Sequence, residues 1–382
     1  MKGALKNLLL VIGSVLFSLA AFELFLFATG TYQELASQQL EPSPAIWERP
    51  RNAIEQHRHP DLKIPIEIVY DDDGVRNHDR KTTAEKRDIV GFFGDSFTEN
   101  RRVENRFGFV RILDELAGGK FRMVNFGVDA YGIDQSYLRY KKYHHLDIDT
   151  VVDVFCENDL RNLYETGLTA LDETGQLSFR QPEANGVLQF VGRFRSPYLI
   201  LDAYYHARAV LTSTFPGQRI FSDRLHRIAD KSSAARKVQK KRLRDTFAQS
   251  VVKDITGPSP SQGTLALAQK FRAVLARWRT EVEARGRRFK VLVLPRHADR
   301  DVAGKLFGRD ADHILYLSDS MPDYMTYRFK YDVHWNETGN LKAAEVVNTS
   351  PVFARFFGRS DPGDYFRTKR QEIVAYYDAN AH

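Results

Sequence analysis

A parallel, doubly wound α/β sheet is the architecture this sequence predicts, and three recurrences predict it. Apolar runs at 88–94, 121–126 and 151–156 each stop at a polar or glycine-rich turn. Each is followed by a helical stretch, the alternation that builds parallel sheets covered on both faces. The rhythm returns near the C-terminus with Phe289–Leu294, stopped by Pro295, and with Ile314–Leu317.

Taken in order, the chain opens with Lys2 and Lys6 ahead of an apolar run from Leu8 to Ala28, interrupted by small residues and by Glu23. A helix of that length spans a hydrocarbon core of roughly 30 Å. The flanking lysines orient it with the N-terminus in the cytoplasm and the rest of the chain outside. A cleaved signal peptide is the other reading, but the run is long for one and no small-x-small site closes it. Residues 1–30 are therefore read as an inner-membrane anchor, with Glu23 near its outer interface. Residues 31–65, polar and carrying Pro42, Pro44, Pro50, Pro60 and Pro65, read as a linker.

Ile66–Tyr70 predicts a short edge strand, and Asp71-Asp72-Asp73-Gly74 a tight turn in preference to a calcium loop, whose further oxygen ligands are missing. Phe109, Ile112, Leu113 and Leu116 mark a helix stopped by Gly118-Gly119. Asp134 is placed to cap a second helix reaching about Leu146. Asp153 lies inside the third apolar run, as a buried carboxylate with a partner or as the sign of a shorter strand. A basic, mainly helical insertion is predicted for 161–261: between Phe190 and Lys253 there are 14 Lys/Arg against 4 Asp. It reads as a solvated face or as a surface for anionic lipid or an acidic polymer. Leu267, Phe271, Val274, Leu275, Trp278 and Val282 give a helical face closed by Gly286, and Asn336 is placed to cap a last helix carrying Leu341, Ala344 and Val347. The tail, 359–382, carries no pattern.

Composition narrows the function classes. With 382 residues and 43% hydrophobic content the chain can bury a large core and is neither disordered nor fibrous. A net charge of +7 is too mild to imply a nucleic-acid partner. The single cysteine, Cys156, excludes an internal disulfide and a zinc ribbon, and reads as a small buried residue at a strand end. His57 with His59 and His144 with His145 lack metal-ligand spacing and read as exposed. No metal and no cofactor is expected.

Polar residues stand at the strand ends in the order Ser96, Asn158, then Asp332 with His334. A serine nucleophile needs a base, an acid to orient that base, and donors for the oxyanion. Gly94-Asp95-Ser96 is by itself equally a helix cap after a strand. Asp332 and His334, two apart on an extended segment, leave the same side, with α-carbons roughly 6.5 to 7 Å apart.

These blocks resemble the SGNH (GDSL-like) hydrolase superfamily. Gly94-Asp95-Ser96-Phe97 is similar to its nucleophile block, Asn125–Gly132 to its second block, Glu157-Asn158-Asp159 to its third, and Asp332-Val333-His334-Trp335-Asn336 to its last, in a His-Trp-Asn branch. The resemblance implies a flavodoxin-like three-layer α/β/α sandwich over 66–160 and 262–358. It also implies Ser96, His334 and Asp332 as catalytic residues, with Ala130 and Asn158 as oxyanion donors. Three positions depart from the pattern. Ala130 stands where a glycine is usual, Cys156 replaces the glycine opening the third block, and one residue rather than two separates acid from base, leaving Asp319 and Asp323 as reserve acids. The G-x-S-x-G pattern of α/β-hydrolases is absent.

The expected function is a membrane-anchored serine ester hydrolase removing O-acetyl groups from a surface or exported polysaccharide, with export-machinery proteins as partners. An O-acetyltransferase using the same acyl-enzyme, and an inactive carbohydrate-binding component of an export complex, are the alternatives.

Overall fold

The computed structural model describes residues 13, 14, 18, 21, 41, 42, 47–49, 51–76, 88–117, 121–172, 174–179, 251–295, 299–307, 312–357 and 362–380. The chain separates into two units, Met1–Ala36 with Glu183–Arg244, and Ser37–Pro182 with Asp245–His382. Only residues 13, 14, 18 and 21 of the first unit are described, all helical. The expected anchor otherwise lies outside the described residues, as does the basic stretch from 180 to 250. Among the described residues no helix is long and apolar enough to cross a membrane.

After a two-residue antiparallel pairing of Glu41–Pro42 with Trp47–Glu48, the second unit continues with an antiparallel hairpin, β1 (Ile54–Arg58) and β2 (Pro65–Val69). Then follow β3 (Asp88–Gly94), the one-turn helix α1 (Ser96–Glu99), α2 (Phe109–Leu116), β4 (Phe121–Asn125) and α3 (Ile133–Tyr143). Next come β5 (Ile148–Phe155), α4 (Asn158–Thr166) and a small hairpin, β6 (Thr169–Leu171) with β7 (Leu177–Phe179). The chain closes with α5 (Gln262–Glu283), β8 (Arg288–Val293), α6 (Asp299–Phe307), β9 (Ile314–Tyr316), α7 (Glu337–Thr349) and α8 (Pro362–Ala379).

Five of these strands form one sheet in the order β9-β8-β5-β3-β4, every neighbouring pair parallel. Counting those strands alone the order is 2-1-3-4-5, that of flavodoxin-like sheets, so the winding reverses between β3 and β5. A crevice opens there, beyond the carboxyl ends of the strands.

The period of two in each strand sends alternate residues to opposite faces. Val90, Phe92, Val152, Val154 and Leu292 pack under α2, α7 and α8. Phe93, Val151, Phe155, Val291 and Val293 pack under α3, α4, α5 and α6. Trp278 of α5, fully buried, meets Phe93 and Phe289 edge-on at 5.6 and 5.3 Å. Truncating it to alanine costs about 3–5 kcal/mol.

Asp153 lies well inside β5, in register with Phe93 and Val291. Burial pushes its carboxyl up to about 7, and its Oδ2 has no hydrogen-bond partner among the described residues.

Several expectations need correction. The stretch 31–65 is not a linker throughout, because β1 and the loop to β2 are packed into the unit, with Ala53, Glu55 and His59 buried. His59 is fully buried: its Nδ1 accepts the N–H of Leu62 at 3.0 Å, so its Nε2 carries the proton and donates to Glu337 at 3.1 Å. His144 and His145 are exposed, as expected. Asp134 does not cap α3, whose N-cap is Gly132; it is buried in the first turn, accepting from Thr166 at 3.0 Å, and burial raises it to about 6. The ends of the predicted insertion belong to the sheet unit: Leu163 of α4 joins the same core as Val251 and Ile255. The tail forms α8, whose Phe366, Ile373 and Tyr376 are buried against the opposite face.

Candidate active site

β3 ends in a turn that admits no side chain at Gly94, where a β-carbon would stand 2.8 Å from the Val154 carbonyl. Asp95 then caps α1, accepting the Phe97 N–H at 2.9 Å. The tripeptide is thus the cap its composition suggested, and Ser96 is the first residue of the helix it starts. Helix-initial N–H groups have no partner within the helix, so that of Ser96 is directed out of the turn.

The last block supplies the other half. His334 Nε2 lies 2.7 Å from Ser96 Oγ, and its Nδ1 is hydrogen-bonded to Asp332 Oδ1. This pairing sets the tautomer: Nδ1–H donates to the carboxylate and Nε2 accepts from the hydroxyl. Asp95 Oδ2 is 3.5 Å from the same hydroxyl, so His334 is the stronger acceptor.

The segment around Asp332 is a bend rather than extended chain. Its Oδ1 also accepts the His334 backbone N–H at 2.9 Å, an Asx turn that brings the carboxylate back onto its neighbour two residues on. That turn is how one intervening residue suffices. Burial alone raises Asp332, but the bonds and charge of His334, with Arg102 at 3.9 Å, outweigh it and hold the carboxyl at about 2. The reserve acids are engaged elsewhere: Asp319 pairs with Arg300, and Asp323 caps a short turn through Met325 N–H.

Ala130 has φ +64°, the left-handed region that favours glycine. Its turn is held from two sides. Asn125 accepts the Gly127 N–H at 3.0 Å while donating to the Thr98 carbonyl at 2.6 Å, and the Asp129 N–H donates to Glu99 at 2.7 Å. Asn158, first residue of α4, donates through Nδ2 to Asp95 Oδ2 at 2.7 Å across the crevice, which leaves the second hydrogen of that amide for another acceptor. Burial pushes Asp95 above its usual range, against the bonds from Asn158 and Phe97. Cys156 is buried at the end of β5, its N–H bonded to Asp159 at 2.9 Å.

Residues without any motif complete the site. Glu99 of α1 receives Arg49 through two bonds, of 2.6 and 3.0 Å, and the Tyr70 hydroxyl at 2.8 Å. Although burial by itself raises Glu99, Arg49, Arg101 and Tyr70 together hold it at about 2. Asn340 of α7 accepts the Phe109 N–H at 3.0 Å and a bond from Asn100, bracing the end of α1. Asp61 accepts the N–H groups of Lys330 and Tyr331 at 3.0 and 3.2 Å, tethering the loop that carries His334. The imidazole itself packs on Phe97, ring centres 4.8 Å apart. Of these, Asn340 alone had a legible signal, its place one turn after the cap Asn336.

No protein-family model matches the chain. No curated protein matches it either. Among solved structures it is similar to LAE5, an alpha/beta hydrolase enzyme from the metagenome of Lake Arreo, Spain, at 12% identity with a TM-score of 0.34 over 71% of this chain and 97% of that one.

Proposed function

We propose that the chain is a serine ester hydrolase of the SGNH type acting through an acyl-enzyme. The observation that carries this reading is the unbroken line of contacts from Asp332 through both ring nitrogens of His334 to Ser96 Oγ. Ser96 Oγ attacks the ester carbonyl as its proton passes to His334 Nε2, and the imidazolium so formed is stabilised by Asp332. The N–H groups of Ser96 and Ala130 and the free hydrogen of Asn158 Nδ2 receive the oxyanion. Collapse expels the alcohol, which takes the proton from His334, and water activated by the same imidazole releases the acid. The substrate in this reading is an O-acetylated polysaccharide outside the cell, with the N-terminal apolar run as anchor. What supports the substrate and the anchor is the sequence resemblance and the lysine-flanked run.

Full-length protein, detergent-solubilised, is treated with a fluorophosphonate probe while acetate release from acetyl esters is followed. Labelling and hydrolysis are expected, both absent in Ser96→Ala, with turnover reduced by at least about 10⁴-fold. A folded chain that neither labels nor hydrolyses sinks the proposal. Labelling with hydrolysis that turns into acetyl transfer when a glycan acceptor is added redirects it to a transferase.

A further inference from the structure

A cavity of about 310 Å³ opens beside Asp332, and Arg58, Lys63, Arg101, Arg102 and Tyr331 line it. The carboxylates on its wall are Asp129 and Asp332, so four permanent cations face two anions. Both carboxylates adjoin the reacting groups: Asp332 holds His334, and Asp129 directly precedes Ala130. The cavity therefore borders the position of a ligand whose carbonyl sits at Ser96.

The cations are not all consumed by their neighbours. Arg101 is spent on Glu55 at 2.5 Å. Arg102, by contrast, approaches Asp129 and Asp332 only at 3.8 and 3.9 Å, beyond hydrogen-bond range, and keeps its donors available. Arg58 uses its Nε on the Lys63 carbonyl at 2.7 Å, which leaves its terminal nitrogens. A concave wall of one sign focuses potential on its interior, and guanidinium groups match the planar oxygens of carboxylate and phosphate. Tyr331, 65% exposed on the same wall, has the ammonium groups of Lys63 and Lys330 each 5.0 Å from its ring centre, which adds Lys330 to the positive charge at the rim.

We infer that this cavity is a subsite for an anionic substituent, carboxylate or phosphate, of a carbohydrate ester. The inference rests on the reading of Ser96 as the nucleophile and adds the charge class of the substrate.

The test compares acetyl esters of a neutral glucoside, a glucuronide and glucose 6-phosphate with the full-length protein. kcat/KM is expected to favour a charged ester by about ten-fold, a difference of about 1.4 kcal/mol. The preference should fall in high salt and disappear in Arg58→Gln/Lys63→Gln, the selectivity ratio being the readout. Whichever charged ester is preferred identifies the anion. Equal kcat/KM for all three, or an unaltered ratio in the double variant, overturns the subsite. If no ester is cleaved, the active-site reading has failed and calorimetric binding of glucuronate and inorganic phosphate to the Ser96→Ala chain decides the subsite alone. Binding weakened about ten-fold by the double variant upholds it, and no binding overturns it.

Discussion

Ser96 and His334 meet at 2.7 Å, yet they arrive by different routes. Ser96 stands on a platform: α1 is buried throughout, and Glu99 within it binds Arg49, Tyr70 and Asp129, which lie far apart in sequence. His334 stands on an arm, a bend whose geometry comes from its own Asp332 and from the tether to Asp61. Glu99 has no exposed surface, whereas the Asp332 side chain is 28% exposed. In the platform, position and fold stability rest on the same bonds; in the arm they separate.

Asp332→Asn tests that separation with the largest effect. It preserves the shape of the bend but no longer orients the imidazole or stabilises it when charged, so kcat for acetyl esters should fall about 10⁴-fold. The urea midpoint should stay close to wild type, and a large loss of stability would contradict the comparison. Glu99→Gln does the opposite. It leaves the buried Arg49 with only Glu55, at 3.8 Å, as counter-charge and should cost about 3 kcal/mol in urea unfolding.

The acid limb of stability sharpens the contrast. Glu99 is held near 2 against a free value of 4.5, so its contribution is complete above about pH 4.5 and lost as pH falls through about 2. The sign is the same for Asp332, but solvent screening reduces it. Stability measured from pH 5 downward should flatten in Glu99→Gln and keep most of its slope in Asp332→Asn. Equal slopes in the two variants would count against the platform.

The smallest effect belongs to Ala130→Gly. Glycine relieves the left-handed backbone but makes the unfolded chain more flexible, so a gain of no more than about 1 kcal/mol is expected. Activity should be retained, since the backbone N–H is unchanged; a large loss of kcat would show that the alanine methyl group itself matters.

How much of this was legible beforehand follows the same divide. The strand ends could be read because apolar runs stop where a sheet stops, and that located Ser96 and Asn158; Asp332 and His334, expected at a strand end, lie instead on a bend well after β9. The left-handed turn at Ala130 was legible only as a question. The pairs Arg49–Glu99, His59–Glu337 and Asp61 with the 330–331 backbone left no trace, because single charged or polar residues in a proline-rich stretch look like solvated chain until a partner appears. For that reason the whole of 31–65 reads as a linker in sequence.

Period and punctuation act along the chain, so the sequence by itself determined the parallel α/β architecture, the cap at Asn336 and the polar strand ends at Ser96 and Asn158. Tertiary structure decided which polar groups meet: the 2-1-3-4-5 winding that sets β3 beside β5, the Asx turn that lets one residue separate acid from base, and the charges buried under α1. Those depend on pairing energies between residues as many as 278 positions apart, such as His59 and Glu337, which no local pattern encodes.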